Sequence, residues 1–500
     1  MTRTLVIGAR RSPLAQIQAL AVGNTLMSRD PGLRLKYCFS ESSGDRSSDP
    51  SAARITQRGG FTEDLGRMLD TGAIDLAVHS WKDLPLRERL ATQVVATLPR
   101  ADCRDLILVR RDAQPQIAEL GLRILSSSAR RRLNLENFLH WALPVRPLKI
   151  DFVPVRGDIE TRIAKLLCGD GDALVVAKAA IDRLIGADGP AAGSAARVQQ
   201  ALTQCRIIVL PLALSPAAPA QGALAIEVAR GATELTARLS DINDADSWEL
   251  VNRERAQAAQ LGDDDSPLGI TWLRFDYGDV EFVRGEHAGQ AIERQCLHRR
   301  GAPLPCPANR TAVWADDMDS ALFERIANPR FAAQYFGAHT GLLVARGDAL
   351  PPRALVSDDA VVWTAGLATW RKLAARGIWV NGSDESLGET GASAIRPFFP
   401  HITRWMKLTH DGGFDTPHAE TLATYRLQRC APLPPVDNHS HFFWRSASLL
   451  REYLAVHPGL SRAWHGCGPG NSFRLASQWL GRERLLPFLS AAQFRAELLT

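Results

Sequence analysis

The chain is 500 residues long and 45% hydrophobic, and its 59 Lys and Arg nearly balance its 54 Asp and Glu, for a net charge of +5. At ~100–200 residues per domain this length predicts three or four domains with cores of their own, and a near balance of charge without basic runs interleaved by aromatics argues against bulk nucleic acid as the partner. No apolar stretch reaches the about 18 residues of a membrane span, and the eight cysteines (38, 103, 168, 205, 296, 306, 430 and 467) contain no Cys-x-x-Cys pair, which argues against a zinc site and against a secreted disulfide framework.

The opening Met1-Thr2-Arg3-Thr4-Leu5-Val6-Ile7-Gly8 reads as a strand rather than a signal peptide, so a cytoplasmic location is expected. Arg10-Arg11-Ser12-Pro13-Leu14-Ala15 then places Ser12 at a helix N-cap and Pro13 at the first helical position, and the free N–H groups of that helix start, beside Arg10, suit an anion. Residues 35–39 form a second strand before Ser42-Ser43-Gly44-Asp45, and residues 61–69 read as a helix. Residues 74–78 are short and apolar enough for a buried strand. They lead into His79-Ser80-Trp81-Lys82-Asp83-Leu84-Pro85. An acid just past a strand end stands where open α/β sheets bind ligands; the alternative for a Lys-Asp pair is a solvated loop.

From residue 100 the alternation of strand and helix repeats, which predicts parallel sheets. Ser126-Ser127-Ser128-Ala129-Arg130-Arg131-Arg132 puts hydroxyl caps and three arginines at a helix start. Val155-Arg156-Gly157-Asp158-Ile159-Glu160-Thr161-Arg162 is a second basic junction, in which Gly157 permits a turn and both arginines can reach one anion cluster. Further along, residues 173–177 read as a buried strand and 219–227 as a return segment. Residues 248–256 read as a helix, 270–274 and 280–284 as a small hairpin, and 297–309 as a linker.

These motifs resemble the porphobilinogen deaminase (hydroxymethylbilane synthase) family over about residues 3–290. The likeness rests on Gly8-Ala9-Arg10-Arg11-Ser12-Pro13-Leu14-Ala15, Gly44-Asp45, residues 74–85, Ser127-Ser128-Ala129-Arg130-Arg131, residues 155–162 and Gln221-Gly222-Ala223, all in the family's order. The family joins four porphobilinogen molecules into hydroxymethylbilane, a step of tetrapyrrole (haem, porphyrin) biosynthesis, and releases ammonia each time. The resemblance implies an α/β fold of two periplasmic-binding-protein-like lobes with a hinge and a small α+β third domain. Lobe one would take residues 1–99 and 200–228, lobe two 100–199, and the third domain 229–305.

It also implies the site. Loss of ammonia leaves an azafulvenium cation, so a carboxylate beside the pyrrole nitrogen stabilises the charge as it develops; that role falls to Asp83, with Lys82 alongside. Each pyrrole adds an acetate and a propionate, which Arg10, Ser12, Arg58, Ser80, Ser127, Ser128, Arg130, Arg131, Arg156, Gly157 and Arg162 are expected to hold. No nucleic acid, membrane or metal is implied. The family tethers a dipyrromethane primer through a loop cysteine, and the matching loop here is Gly262-Asp263-Asp264-Asp265-Ser266-Pro267, without a thiol. A carboxylate is a poor replacement nucleophile. Arg58 stands where a lysine is usual, and Lys178 where a small residue is usual. Three explanations stay open: a primer held non-covalently, another cysteine in that role, or binding of linear pyrroles without polymerisation.

Residues 310–500 resemble, more faintly, uroporphyrinogen-III synthase, which cyclises hydroxymethylbilane and has two small α/β lobes. The likeness lies in residues 361–378, Ala423-Thr424-Tyr425-Arg426, residues 441–448 and Trp464-His465-Gly466-Cys467-Gly468-Pro469-Gly470-Asn471-Ser472. Tyr425 matches the family's proton-donating tyrosine, the alternative being a buried structural one. The whole chain thus reads as a fusion protein: a hydroxymethylbilane synthase-like transferase joined to a cyclase-like region. The rivals are a cyclase alone and a silent linear-pyrrole binder.

Overall fold

The computed structural model describes residues 4–40, 63–87, 89–262, 266–315, 322–389 and 391–499; Ser42 to Asp45, Arg58 and Asp263 to Asp265 lie outside them. Two compact units emerge, Met1–His140 with Val145–Arg274 and Glu281–Gln295, and Trp141–Pro144 with Phe275–Val280 and Cys296–Thr500.

In the first unit, β1 (Thr4–Arg10), β2 (Arg34–Ser40), β3 (Leu76–Ser80) and β4 (Thr92–Ala96) build one sheet. The chain crosses to a second sheet of β5 (Asp105–Arg110), β6 (Leu122–Leu125), β7 (Ile150–Val153), β8 (Ala173–Ala177) and β9 (Cys205–Val209), then returns as β10 (Leu224–Ala229). The orders are β2-β1-β3-β10-β4 and β7-β6-β8-β5-β9. Strand β1 is parallel to β2 and β3, and β10 is antiparallel to β3 and β4. Likewise β6 is parallel to β7 and β8, and β5 is antiparallel to β8 and β9.

Both sheets are therefore mixed, where the alternation of strand and helix predicted parallel ones. The reversed strand is in each case the one that arrives from the other lobe. It has no crossover helix of its own lobe to turn it round, which a parallel neighbour would need. Strand β9 also moves the expected lobe boundary: Cys205–Val209 pairs in the second sheet, so the second lobe extends past residue 200 and only the later residues return to the first.

Ser12 caps the helix Pro13–Arg29 as expected, its Oγ accepting the Ala15 N–H at 3.4 Å. Val22 and Leu26 of that helix pack with Leu5, Ile7, Leu76, Val78, Ile226 and Val228 of the sheet, and side chains of this size contribute about 1.5–3 kcal/mol each when fully buried. That packing fixes the carboxyl ends of β1 and β3, which carry Arg10 and the Lys82-Asp83 turn.

The helices Thr233–Ser240 and Ala245–Leu261 precede a sheet of β11 (Gly269–Phe275), β12 (Gly278–His287) and β13 (Gln290–Arg299), paired in that order. The expected hairpin is its first two strands, and β13 takes up the start of the stretch read as a linker.

Among the described residues the second unit holds three further sheets, the smallest a parallel pair of Tyr335–Phe336 and Leu355–Val356. A four-stranded parallel one orders Val313–Ala315, His441–Trp444, Trp464–Cys467 and Leu485–Pro487. A six-stranded one orders Phe323–Ala327, Glu420–Arg429, Arg404–His410, Thr340–Val344, Val361–Thr364 and Gly382–Ser383. Its first pair is antiparallel and the rest are parallel. The chain leaves the four-stranded sheet along Phe323–Ala327 and comes back along Glu420–Arg429, so one antiparallel pair carries both connections. Among the described residues no helix is long and apolar enough to cross a membrane.

Candidate active site

Asp83 ends a single 3-10 turn, Trp81–Asp83, directly after β3. Trp81 is only 2% exposed and packs against Trp248 with the rings tilted by 46° and their centroids 5.2 Å apart, while Arg255 Nη2 donates to the Pro85 carbonyl at 2.5 Å. Lys82 and Asp83 therefore project from a fixed base. Lys82 Nζ donates to Gln221 Oε1 at 2.9 Å. Among the described residues the Asp83 carboxylate has no hydrogen-bond or ion-pair partner.

Burial brings the Lys82 ammonium down to about 8; Asp83 opposes that shift and the Arg131 charge adds to it. Arg162 is also lowered, first by burial and then by Arg131, with Asp83 and Asp158 opposing and Arg10 adding. The charges of Asp83 and Arg131 thus act on both Lys82 and Arg162, and that of Arg10 on Arg162, so β1, the turn after β3 and the second lobe's helix starts all contribute charge to the site.

The second lobe's basic junctions are tied together. Ser127 Oγ donates to the Val155 carbonyl at 2.9 Å and accepts the Val155 N–H at 3.0 Å. Ser128 Oγ accepts the Arg131 N–H at 3.4 Å at the start of the helix Ala129–Ala142. Asp158 caps the helix Ile159–Leu167 by accepting the Thr161 N–H at 2.8 Å, and Arg162 Nε donates to the Gly157 carbonyl at 2.7 Å. Gly157 has φ +113°, and a Cβ there would come within 2.7 Å of Thr161 Cγ2, so the turn requires glycine. Arg156 is exposed. Ser80 Oγ accepts from the buried Gln18 amide at 2.9 Å and so braces β3 against the first helix.

Two arginines differ from expectation. Arg130 and Arg131 were expected to grip ligand carboxylates, yet they are 6% and 9% exposed and converge on Asp105, which is fully buried. Arg130 Nη2 lies 2.7 Å from Asp105 Oδ2, with Nη1 on the Pro216 carbonyl at 2.6 Å. Arg131 reaches the same carboxylate through Nε at 3.1 Å and Nη2 at 2.7 Å, and its Nη1 donates to the Val175 carbonyl at 3.0 Å. Burial alone would raise Asp105, but Arg131 and Arg130 overcome it and hold the acid well below the usual carboxylate range. What these forks lend the cleft is positive charge more than open donors.

Asp105 went unnoticed in the sequence. An acid that opens the apolar strand Leu106-Ile107-Leu108-Val109 was the available signal, since a buried carboxylate requires cationic partners. Glu254 was missed too. It takes the Arg100 fork at 2.7 and 2.9 Å and accepts the Ala220 N–H at 2.8 Å and the Trp272 N–H at 2.7 Å. The helix Ala245–Leu261 thereby clamps both chain crossings between the lobes. Lys178, at its unusual position, is buried and ion-paired with Asp182 at 2.7 Å.

In the second unit Tyr425 is 5% exposed, and its ring stacks on His410 with centroids 5.8 Å apart. His410 Nε2 lies 3.1 Å from Ser448 Oγ, and burial lowers the imidazole from its ordinary value. Ser448, with Gly412, Phe414, Arg451 and Trp479, lines a cavity of about 360 Å³. Tyr425 is not among the cavity's lining residues; His410 links it to Ser448, which is.

The family model for the porphobilinogen deaminase, dipyromethane cofactor binding domain, matches residues 5–237. Porphobilinogen deaminase of Mycobacterium bovis (BCG Pasteur) is 36% identical over 255 residues, 51% of this chain and 74% of the relative. That of Mycolicibacterium paratuberculosis is 37% identical over 257 residues, 51% and 72%. Among solved structures, PhnD1 of Prochlorococcus marinus is 12% identical, with a TM-score of 0.28 over 48% of this chain and 84% of its own. Sequence likeness of this extent, over residues that include the Asp83 turn and the basic helix starts, supports hydroxymethylbilane synthase activity, and the chain belongs to the porphobilinogen deaminase family.

Proposed function

We propose that the first unit polymerises porphobilinogen with Asp83 as the carboxylate beside the developing cation. The observation that carries this reading is the Asp83 carboxylate itself, without a hydrogen-bond or ion-pair partner among the described residues, next to Lys82 in the turn and acting on the charges of both Lys82 and Arg162. As the aminomethyl group departs as ammonia, a half-buried anion favours the azafulvenium cation left behind. Attack by the ring carbon of the terminal pyrrole forms the new bond, and that carbon then loses its proton. Arg10, Arg156, Arg162 and Lys82 serve the acetates and propionates, at ~1.5–3 kcal/mol per charge-assisted bond. Incubation of the purified protein with porphobilinogen is expected to release ammonia and yield uroporphyrinogen; release of neither would sink the polymerase reading.

The residues present suit the carboxylates of a dipyrromethane but not its thioether. The primer loop carries Asp263, Asp264 and Asp265. Of the first unit's four thiols, burial pushes Cys103 and Cys205 up to about 12 each. Cys38 packs beside Leu65 and Leu69, and Cys168 sits at the end of the helix Ile159–Leu167 opposite Gly157. The two buried thiols are therefore not ready thiolates. The primer is held by charge, and the intact mass of denatured protein is expected to equal that of the polypeptide alone. A mass excess of two pyrrole rings that survives denaturation would show a covalent link after all.

For the second unit, the two larger sheets, joined by one antiparallel pair, support the uroporphyrinogen-III synthase-like reading. The cavity lined by Ser448 and Arg451 offers an ionic contact and, through His410, a neutral imidazole one bond away. Fusion of cyclase to polymerase would raise the effective concentration of a product that otherwise closes on its own to the symmetric ring. Added hydroxymethylbilane is expected to give the type III isomer; formation of the type I isomer alone would remove the cyclase.

A further inference from the structure

Gln221 lies between the Lys82 turn of the first lobe and Asp105 of the second. It is 1% exposed and lies in a turn whose neighbours take left-handed backbone, Ala220 at φ +65° and Gly222 at φ +91°. A Cβ on Gly222 would meet the Ala101 carbonyl at 2.4 Å, so the turn is pressed against the outgoing crossing. Its backbone is held on every side. Arg100 Nε donates to the Gln221 carbonyl at 2.9 Å, Arg183 Nη2 donates to the Gly222 carbonyl at 2.7 Å, and Ala220 N–H donates to Glu254.

The side chain has one allowed orientation. Its Nε2 donates to the Cys103 carbonyl at 2.6 Å and to Asp105 Oδ1 at 2.9 Å, and its Oε1 accepts from Lys82 Nζ at 2.9 Å. A flip of the amide would set NH₂ against an ammonium and oxygen against a carboxylate. The orientation is therefore fixed by its neighbours. One amide thereby joins Asp105, the anchor of Arg130 and Arg131 in the second lobe, to Lys82 in the first.

The consequence falls on Asp83. Lys82 and Asp83 are adjacent in a three-residue turn, and Asp83 is the strongest charge acting on Lys82. Even so, the ammonium is held by Gln221 and the carboxylate has no partner among the described residues. We propose that Gln221 is a positioning residue that holds the Lys82 ammonium on its own amide oxygen and so keeps it from closing an ion pair with Asp83, leaving that carboxylate available to the cationic intermediate. Asp105 supports this by polarising the amide: a carboxylate at the NH₂ end makes the oxygen a stronger acceptor.

This inference rests on the polymerase reading of Asp83, and two readouts separate their failures. The first needs turnover. Gln221→Met keeps length and volume but accepts nothing from Lys82, so kcat is expected to fall about tenfold or more while KM changes less than about threefold, the pattern of a loss confined to the transition state. Lys82→Met in the wild-type background removes a carboxylate contact and mainly raises KM. Combined with Gln221→Met, however, Lys82→Met is expected to recover kcat, because no ammonium is left to capture Asp83. A strictly additive cycle, or a wild-type kcat in Gln221→Met, would overturn the proposal.

The second readout needs no turnover: the pH dependence of Lys82 acetylation by acetic anhydride, followed by peptide mass spectrometry. Capture by Asp83 would raise the Lys82 titration by about one unit or more in Gln221→Met, a tenfold change in the neutral amine at a given pH. A titration unmoved or lowered would overturn the proposal even if the wild-type protein proved silent with porphobilinogen. Gln221→Asn, too short to reach Lys82 yet still an amide, takes the place of the Met variant if that one does not fold.

Discussion

Asp83→Asn is expected to lower kcat for porphobilinogen by about a thousandfold while leaving ligand binding within a few-fold of wild type. Asn has the shape of Asp without its charge, so the variant removes one quantity, the interaction between a carboxylate and a unit positive charge on the ring. At about 4 Å and an effective dielectric near 20 that interaction amounts to roughly 4 kcal/mol, and each 1.36 kcal/mol is a factor of ten in rate. The cation exists only once ammonia has begun to leave. Ground-state binding should scarcely register the change, because the substrate's carboxylates are assigned to Arg10, Arg156, Arg162 and Lys82 and not to Asp83. Single-turnover ammonia release measures the rate and calorimetric titration the affinity. A kcat within threefold of wild type would take Asp83 out of the chemistry, and a loss of binding equal to the loss of rate would make it a ligand contact instead.

Much of this site was legible in the sequence because its markers are local. A helix cap needs only Ser12 before Pro13, a tight turn only Gly157, and a strand-end acid only a short apolar run before Asp83. The structure bears out each of these in geometry: Ser12 caps its helix, Gly157 has positive φ, and Asp83 follows β3 at once. What escaped was long-range. The Gln221 amide bonds to residues 139 and 116 positions away, and no periodicity connects Lys82 to Asp105 through it. The sense of β5 and β10 escaped for the same reason, since a strand's direction in a sheet depends on which lobe the chain has just left. Arg130 and Arg131 show the cost of reading charge without burial. Their spacing at a helix start fits an anion site, yet the nearest anion proves to be the protein's own Asp105.

That carboxylate is where the largest loss of stability is expected. Each Asp105 oxygen takes two donors, Oδ1 from Arg131 and Gln221 and Oδ2 from Arg130 and Arg131. Asp105→Ala would leave two guanidinium groups buried without their counterion, and removal of one partner from a buried charge cluster costs about 3–5 kcal/mol. For a unit of this size the apparent Tm is expected to drop by roughly 6–20 °C, read by calorimetry as the transition of the first unit. The pH dependence follows from the sign of the shift. Asp105 is held well below its unfolded value, so its contribution is complete above about pH 4, the ordinary aspartate range, and declines only as the pH falls toward the folded value. The Tm gap between wild type and Asp105→Ala should therefore stay constant from pH 8 to about pH 5 and narrow in stronger acid. A gap under about 2 °C at neutral pH would mean that solvent or a ligand carboxylate readily replaces Asp105, and Arg130 and Arg131 would then return as open anion contacts.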